Sequence, residues 1–185
     1  MLQVTKRIPQ GEGLAPVLRQ RAATVTLDWD LRQKSRFDCI DSQGRRIGVF
    51  LPRGTLLRGG DMLLALDGSM LRVIAAQQSL LRITHRPGQG SPFDLLRAAY
   101  HLGNRHVPIE LRQDHLKIEP DHVLAEMLVQ MGLVVEAVDD GFEPEAGAYG
   151  EHATMGHSHG HGHHHGACGH QHGDHGHDHD HSHGN

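Results

Sequence analysis

Fourteen of the chain's 19 histidines lie between His152 and His183. The candidate ligands are His157, His159, His161, His163, His164 and His165, then, beyond Cys168, His170, His172, His175, His177, His179, His181 and His183. Neutral imidazole binds nickel, zinc and copper through either ring nitrogen. With an unperturbed pKa of about 6.5, most exposed imidazoles are neutral near pH 7 and free to ligate. The alternating glycines allow the backbone to fold around an ion. Asp174, Asp178 and Asp180 offset its charge and can orient a ring through its second nitrogen. Many weak overlapping sites give high effective ligand concentration and fast exchange. That chemistry suits capture and release, whereas metal catalysis asks for a fixed geometry with an open position. An affinity tag would be an unbroken run, and this stretch is irregular and carries Cys and Asp.

Five histidines precede this stretch: His85, His101, His106, His115 and His122. His106 falls in Gly103-Asn104-Arg105-His106-Val107-Pro108, a helix-to-strand junction from which a side chain can reach solvent or an interface. A hydrogen-bonded turn histidine is the alternative. His122 follows Pro120-Asp121 in the first turn of a helix, where the positive end of the dipole favours a neutral ring. His115 beside Asp114 reads as a solvated turn residue, His101 as a helix C-terminal residue and His85 as a strand end. A single histidine does not hold a metal alone, because imidazole sites use about four ligands. A two-fold dimer would bring two copies of His106 together, with His122 or the C-terminal histidines completing the shell.

The elements that position these residues fall into three zones. Residues 1–76 read as an all-β domain. Thr24 to Trp29 alternates polar and apolar, the turn Asp41-Ser42-Gln43-Gly44 joins two β-rich runs, and Asp67-Gly68 joins Met62–Leu66 to Met70–Ile74. Residues 77–149 read as β-α-β-β-α-β, a ferredoxin-like domain. Its first strand is Leu80 to Thr84. Its first helix opens at Ser91-Pro92 and buries Leu95, Leu96, Ala99 and Leu102. Val107–Leu111 and Leu116–Ile118 are short strands. A second helix begins at Pro120-Asp121 and carries an apolar stripe of Val123, Leu124, Met127, Leu128 and Met131. Leu133 to Val138 closes the sheet. Phe142 to Tyr149 reads as a polar linker, and residues 150–185 as a metal-binding tail, disordered without metal because it has little to bury. The fold class expected is thus α+β.

Composition narrows the function. Aromatic residues make up 4% of the 185, so the cores are aliphatic. No apolar run approaches the roughly 20 residues of a membrane helix, and the N-terminus lacks signal-peptide grammar. Two cysteines, Cys39 and Cys168, fit a reducing cytoplasm. Residues 1–112 carry 17 Lys and Arg against 9 Asp and Glu, while residues 113–185 carry one Lys against 13 acids. The arginines of the basic half are scattered among strands with few aromatics to stack bases, which argues against nucleic acid. A hydrolase built on His106, His115 and Asp114 lacks any His-Glu-x-x-His pattern, nucleophile elbow or phosphate loop. A nickel or zinc store without specific delivery is the competing reading of the histidine stretch.

Four stretches resemble the UreE family of urease accessory proteins: Leu51-Pro52-Arg53-Gly54 with Leu57-Arg58-Gly59-Gly60-Asp61; Tyr100-His101-Leu102-Gly103-Asn104-Arg105-His106-Val107-Pro108; Asp121-His122-Val123-Leu124; and Phe142-Glu143-Pro144-Glu145-Ala146-Gly147-Ala148-Tyr149. The resemblance spans nearly the whole chain, and Gly-Asn-Arg-His is its most specific part. It implies a non-enzymatic nickel metallochaperone of the cytoplasm that donates Ni(II) to apo-urease, with Zn(II) and Cu(II) as further ions. The N-terminal domain would be a peptide-binding module. The C-terminal domain would bind metal and form a homodimer, with His106 supplied as a ligand by each subunit and His122 as a second ligand. Partners would be the urease apoenzyme and its accessory proteins, including the GTPase UreG. Pro120 stands where some members carry a further histidine, so this chain has no His-x-His pair there.

Overall fold

The computed structural model describes residues 1–146, so the histidines from His157 to His183 and their expected disorder lie outside the described residues. Two sheets organise the described residues. The first sheet contains β1 (Leu2–Ile8), β2 (Ala23–Leu27), β3 (Arg36–Ile40), β4 (Arg46–Phe50), β5 (Met62–Ala65) and β6 (Met70–Ala75), in the order β2-β6-β5-β1-β4-β3. β1 runs parallel to β4 and β2 parallel to β6, while the other pairs are antiparallel. Alternate residues point inward, as a half-buried strand requires. Val4, Val25, Leu27, Ile47, Val49, Leu63, Leu71 and Val73 form an aliphatic core, closed by Leu57 from a loop. Both expected hairpins form, with Gly44 and Gly68 at positive φ in their turns.

The first zone is not all-β, contrary to the reading of its alternation. It carries α1 (Pro16–Arg21) and α2 (Trp29–Arg32). The alternation ends at Leu27 because Asp28 is a helix N-cap: its carboxylate accepts the Leu31 N–H at 2.8 Å. Trp29 therefore turns out of the strand and buries its ring. Pro16 opens α1 at the position where a missing N–H does no harm. Strand β1 lies outside the segments whose sequence reads as strand, because its charged residues hide the inward Val4.

The second sheet contains β7 (Gln77–His85), β8 (Glu110–Leu111), β9 (Leu116–Ile118) and β10 (Leu133–Gly141), in the order β10-β7-β9-β8, all antiparallel. Between β7 and β8 runs α3 (Pro92–Gly103), and between β9 and β10 runs α4 (His122–Gln130). Asp94 closes the first turn of α3 by accepting the Ser91 N–H at 2.8 Å, and Asp121 caps α4 by accepting the Leu124 N–H at 2.9 Å. Ile83, Leu95, Ala98, Leu102, Leu116, Ile118, Leu128 and Leu133 form the second core. Leu96 and Val123, expected in buried stripes, are instead exposed. β8 is shorter than the Val107–Leu111 run because Pro108 cannot donate a ladder hydrogen bond.

Residues 142–146 are not a free linker. Phe142 is fully buried and packs edge-on against Trp29, with ring centroids 5.9 Å apart. With Leu80 they form a third apolar cluster where the two sheets' lobes meet. Around it, Arg32 and Arg58 both lie over the Trp29 ring, at 5.2 and 5.3 Å, and both pair with Glu143, at 2.8 and 3.3 Å. Their guanidiniums also donate to the carbonyls of Phe142 and Pro144. Among the described residues no helix is long and apolar enough to cross a membrane.

Candidate functional site

His106 stands just beyond α3, exposed, at a positive φ of 57°. Its N–H donates to the Gly103 carbonyl at 2.9 Å, which tightens the end of the helix. Apart from Gln10, it is the one non-glycine residue among those described with positive φ. Left-handed backbone costs an L-residue about 1–2 kcal/mol. Glycine would meet that backbone requirement without the cost. An imidazole kept in such a turn and open to solvent fits a functional demand on the side chain.

The helix leading to His106 has two apolar faces. Leu95, Ala98 and Leu102 point into the core, while Phe93, Leu96 and Tyr100 lie at i, i+3 and i+7 and are about two-thirds exposed: 64, 66 and 66%. Those spacings put the second set on one outward face. Its sequence signal was present in the same segment, but the inner stripe has the same period, and only packing tells which face is covered. His101, half-buried near the C-terminus of α3, meets Tyr100 edge-on with ring centroids 5.4 Å apart.

His122 is the first residue of α4, exposed, directly after its cap Asp121. His115 is not simply solvated. Its ring is 17% exposed, and Nδ1 lies 2.8 Å from an Asp114 carboxylate oxygen, with Arg82 3.5 Å from the other. The hydrogen bond to His115 lowers the Asp114 carboxyl from its ordinary value, and the ring and Arg82 add their charge. This arrangement gives His115 a structural occupation. Among the described residues, no three His, Cys, Asp or Glu side chains are grouped so as to hold a metal ion. His106 and His122 are both exposed.

A charged network ties β8, β9 and β10 to residue 143. Glu110, 2% exposed, accepts the Glu143 N–H at 2.8 Å and pairs with Lys117 at 3.1 Å and Arg112 at 2.7 Å. Burial pushes the Glu110 carboxyl up, but the Glu143 N–H, Lys117 and Arg112 more than reverse this and leave it lowered. Lys117 also binds Asp140 at 2.9 Å and the Gly141 carbonyl at 2.7 Å. Cys39, on β3, is a poor ligand: burial, then Asp38 and Asp41, push its thiol up to about 11, far from the thiolate a metal needs.

The comparisons with known proteins agree on one family. The family model described as the N-terminal domain of UreE urease accessory protein matches residues 4–76, and the one for the C-terminal domain matches residues 78–167. The chain belongs to the UreE family of urease accessory proteins. Its relatives include the urease accessory protein UreE of Polaromonas sp., 71% identical over 149 residues that cover 80% of this chain and 68% of that one. The UreE of Paracidovorax citrulli is 68% identical over 157 residues, covering 85% of this chain and 73% of its own. That of Ralstonia nicotianae is 46% identical over 157 residues, covering 85% and 72%.

Proposed function

We propose that this protein is a nickel carrier for urease maturation: it binds Ni(II) through histidines and passes it to apo-urease. Membership of the UreE family supports the role in maturation. The observation that carries the metal reading is His106, an exposed imidazole held at positive φ at the end of a helix whose outer face is apolar. On this reading Phe93, Leu96 and Tyr100 meet their copies in a homodimer, which sets two His106 rings beside one ion. The absence of any three-ligand group among the described residues of one copy fits a shared site. The strand order β10-β7-β9-β8 with helices in both crossovers supports a ferredoxin-like C-terminal domain, residues 77–149, as the metal-binding and dimerisation unit. Residues 1–76 would be the peptide-binding unit, and residues 150–185 the collecting segment.

Transfer is ligand exchange and needs no catalysis by the carrier. The His157–His183 histidines gather ions, His106 of each copy holds one with His122 in support, and ligands of the docked acceptor replace the imidazoles. The affinity is intermediate, since copper outcompetes nickel at most nitrogen sites and Zn(II) also binds. Nickel selectivity then comes from geometry and from the partners, apo-urease and accessory proteins such as the GTPase UreG. All of this takes place in the cytoplasm. The test is activation of apo-urease under limiting nickel. His106→Ala lowers activation more than it lowers total nickel bound. Full activation with that variant sinks the role of His106, and a loaded wild type that never yields its ion to the acceptor leaves only a store.

A further inference from the structure

Gly11, at φ +64°, lies against the stem of Arg19: a Cβ there would stand 2.5 Å from Arg19 Cδ and 3.0 Å from Met62 Cγ. This close approach seats Arg19 of α1 over the first sheet. Arg72, on β6, is in register with Met62 of β5 and Thr24 of β2. Arg19 and Arg72 line an indentation of about 260 Å3 with Gln10, Pro16, Gln20 and Gly60. None of these six residues is acidic. The neighbouring carboxylate, Asp61, is only 1% exposed and already accepts from the N–H groups of Gln10 and Arg58, both at 2.9 Å.

Five buried side-chain nitrogens lack a hydrogen-bond partner among the described residues, and four are arginine Nε atoms: Arg19, Arg32, Arg72 and Arg82. Arg32 and Arg82 each pair with a carboxylate through another nitrogen. Arg19 and Arg72 have no ion pair among the described residues, Arg19 Nη1 donating only to the Gln10 carbonyl at 3.4 Å, and both side chains line one indentation. Taking a guanidinium partly out of water without an anion is costly. Its planar fork matches the two oxygens of a carboxylate or phosphate. We propose that Arg19 and Arg72 form a docking site for one oxyanion group, carried either by an acidic side chain of a bound peptide or by free phosphate. Gln20 lines the same indentation and adds a neutral amide donor, while the Gln10 amide is held by the Gly59 carbonyl and Asp61. This site is separate from His106 and makes no use of nickel.

The test is a titration of the full chain, freed of metal by a chelator, followed by the side-chain Nε–H resonances of its arginines. The probes are inorganic phosphate and an end-blocked Gly-Asp-Gly peptide, at constant ionic strength in chloride. Arg19 and Arg72 shift and saturate, while Arg53, exposed and outside the indentation, does not. Arg72→Gln weakens binding at least about fivefold and Arg72→Lys less, because lysine keeps the charge but not the fork. Saturation by the peptide alone identifies a protein-borne carboxylate, by phosphate alone a free anion, and either outcome supports the site. Shifts that stay linear with both probes, or that Arg53 matches, overturn it, and this measurement on the wild type stands even if a variant fails to fold.

Discussion

At His106 the backbone and the side chain make opposite demands. The turn after α3 needs positive φ, which glycine meets most readily, and the proposed nickel site needs an imidazole. The two demands separate in His106→Gly. Stability against urea rises by up to about 1 kcal/mol as the backbone relaxes, while the nickel held by the protein without its histidine-rich segment falls. If stability drops instead, the ring is holding the turn and the functional reading weakens. Spacing located His106 at a helix-to-strand junction, and it located His122 in a first helical turn, where the structure also has it. It did not show that φ at His106 is +57°. That angle depends on how the last turn of α3 closes onto Gly103, which no pattern of residue types records. His115 reversed in meaning for a similar reason. Its neighbour Asp114 was visible in sequence, but Arg82, which anchors Asp114 from β7, is distant in the chain.

At the scale of elements, local rules worked wherever a local device decides the outcome. The Asp67-Gly68 turn, the Ser91-Pro92 start and the stop before Leu133 all lie within a few residues of the structure they cause. Elements decided by distant contacts were missed or misread. α2 and residues 142–146 are the clearest pair, because each explains the other: Trp29 needs Phe142, and Arg32 and Arg58 need Glu143. Read alone, Phe142-Glu143-Pro144 is a loop. Glu143→Ala leaves Arg32, fully buried, without its carboxylate, and removing one partner of a buried pair costs about 3 kcal/mol. Trp29 is the chain's single tryptophan, so urea titration followed by its fluorescence reads this junction directly. A loss below about 1 kcal/mol would mean that solvent already screens the pair. The two apolar faces of α3 teach the same lesson. Leu95 and Leu96 are equally apolar, and only the sheet beneath decides which is buried.

For the whole molecule, carboxylates paired in the folded state contribute to the response to acid. Glu110 is lowered as described, and Asp140 is lowered chiefly by its hydrogen bond to Lys117. In the unfolded chain both would protonate at ordinary, higher values, so unfolding takes up protons as the pH falls. Their contribution is complete at neutral pH, above the unfolded values, and drains away through the lowered folded values. Glu110→Gln costs about 2 kcal/mol at pH 7, and its deficit shrinks toward zero in acid, where the wild-type carboxyl is itself neutral. Urea titrations from pH 7 down to the acid transition read this, and a deficit independent of pH would contradict it. Metal capacity should divide along the chain as well. A protein ending after residue 146 binds fewer nickel ions per chain by mass measurement yet still activates apo-urease when nickel is plentiful. Complete loss of activation would place delivery in the histidine stretch itself. The sequence by itself determined that 14 imidazoles crowd one stretch, the ground of the proposed metal reading, and that strands precede a β-α-β-β-α-β unit, because residue type and hydrophobic period are local properties. Tertiary structure alone decided which apolar face stays open, which arginines share Glu143 and which go without a carboxylate among the described residues. Those outcomes depend on desolvation and on charges brought together from distant parts of the chain.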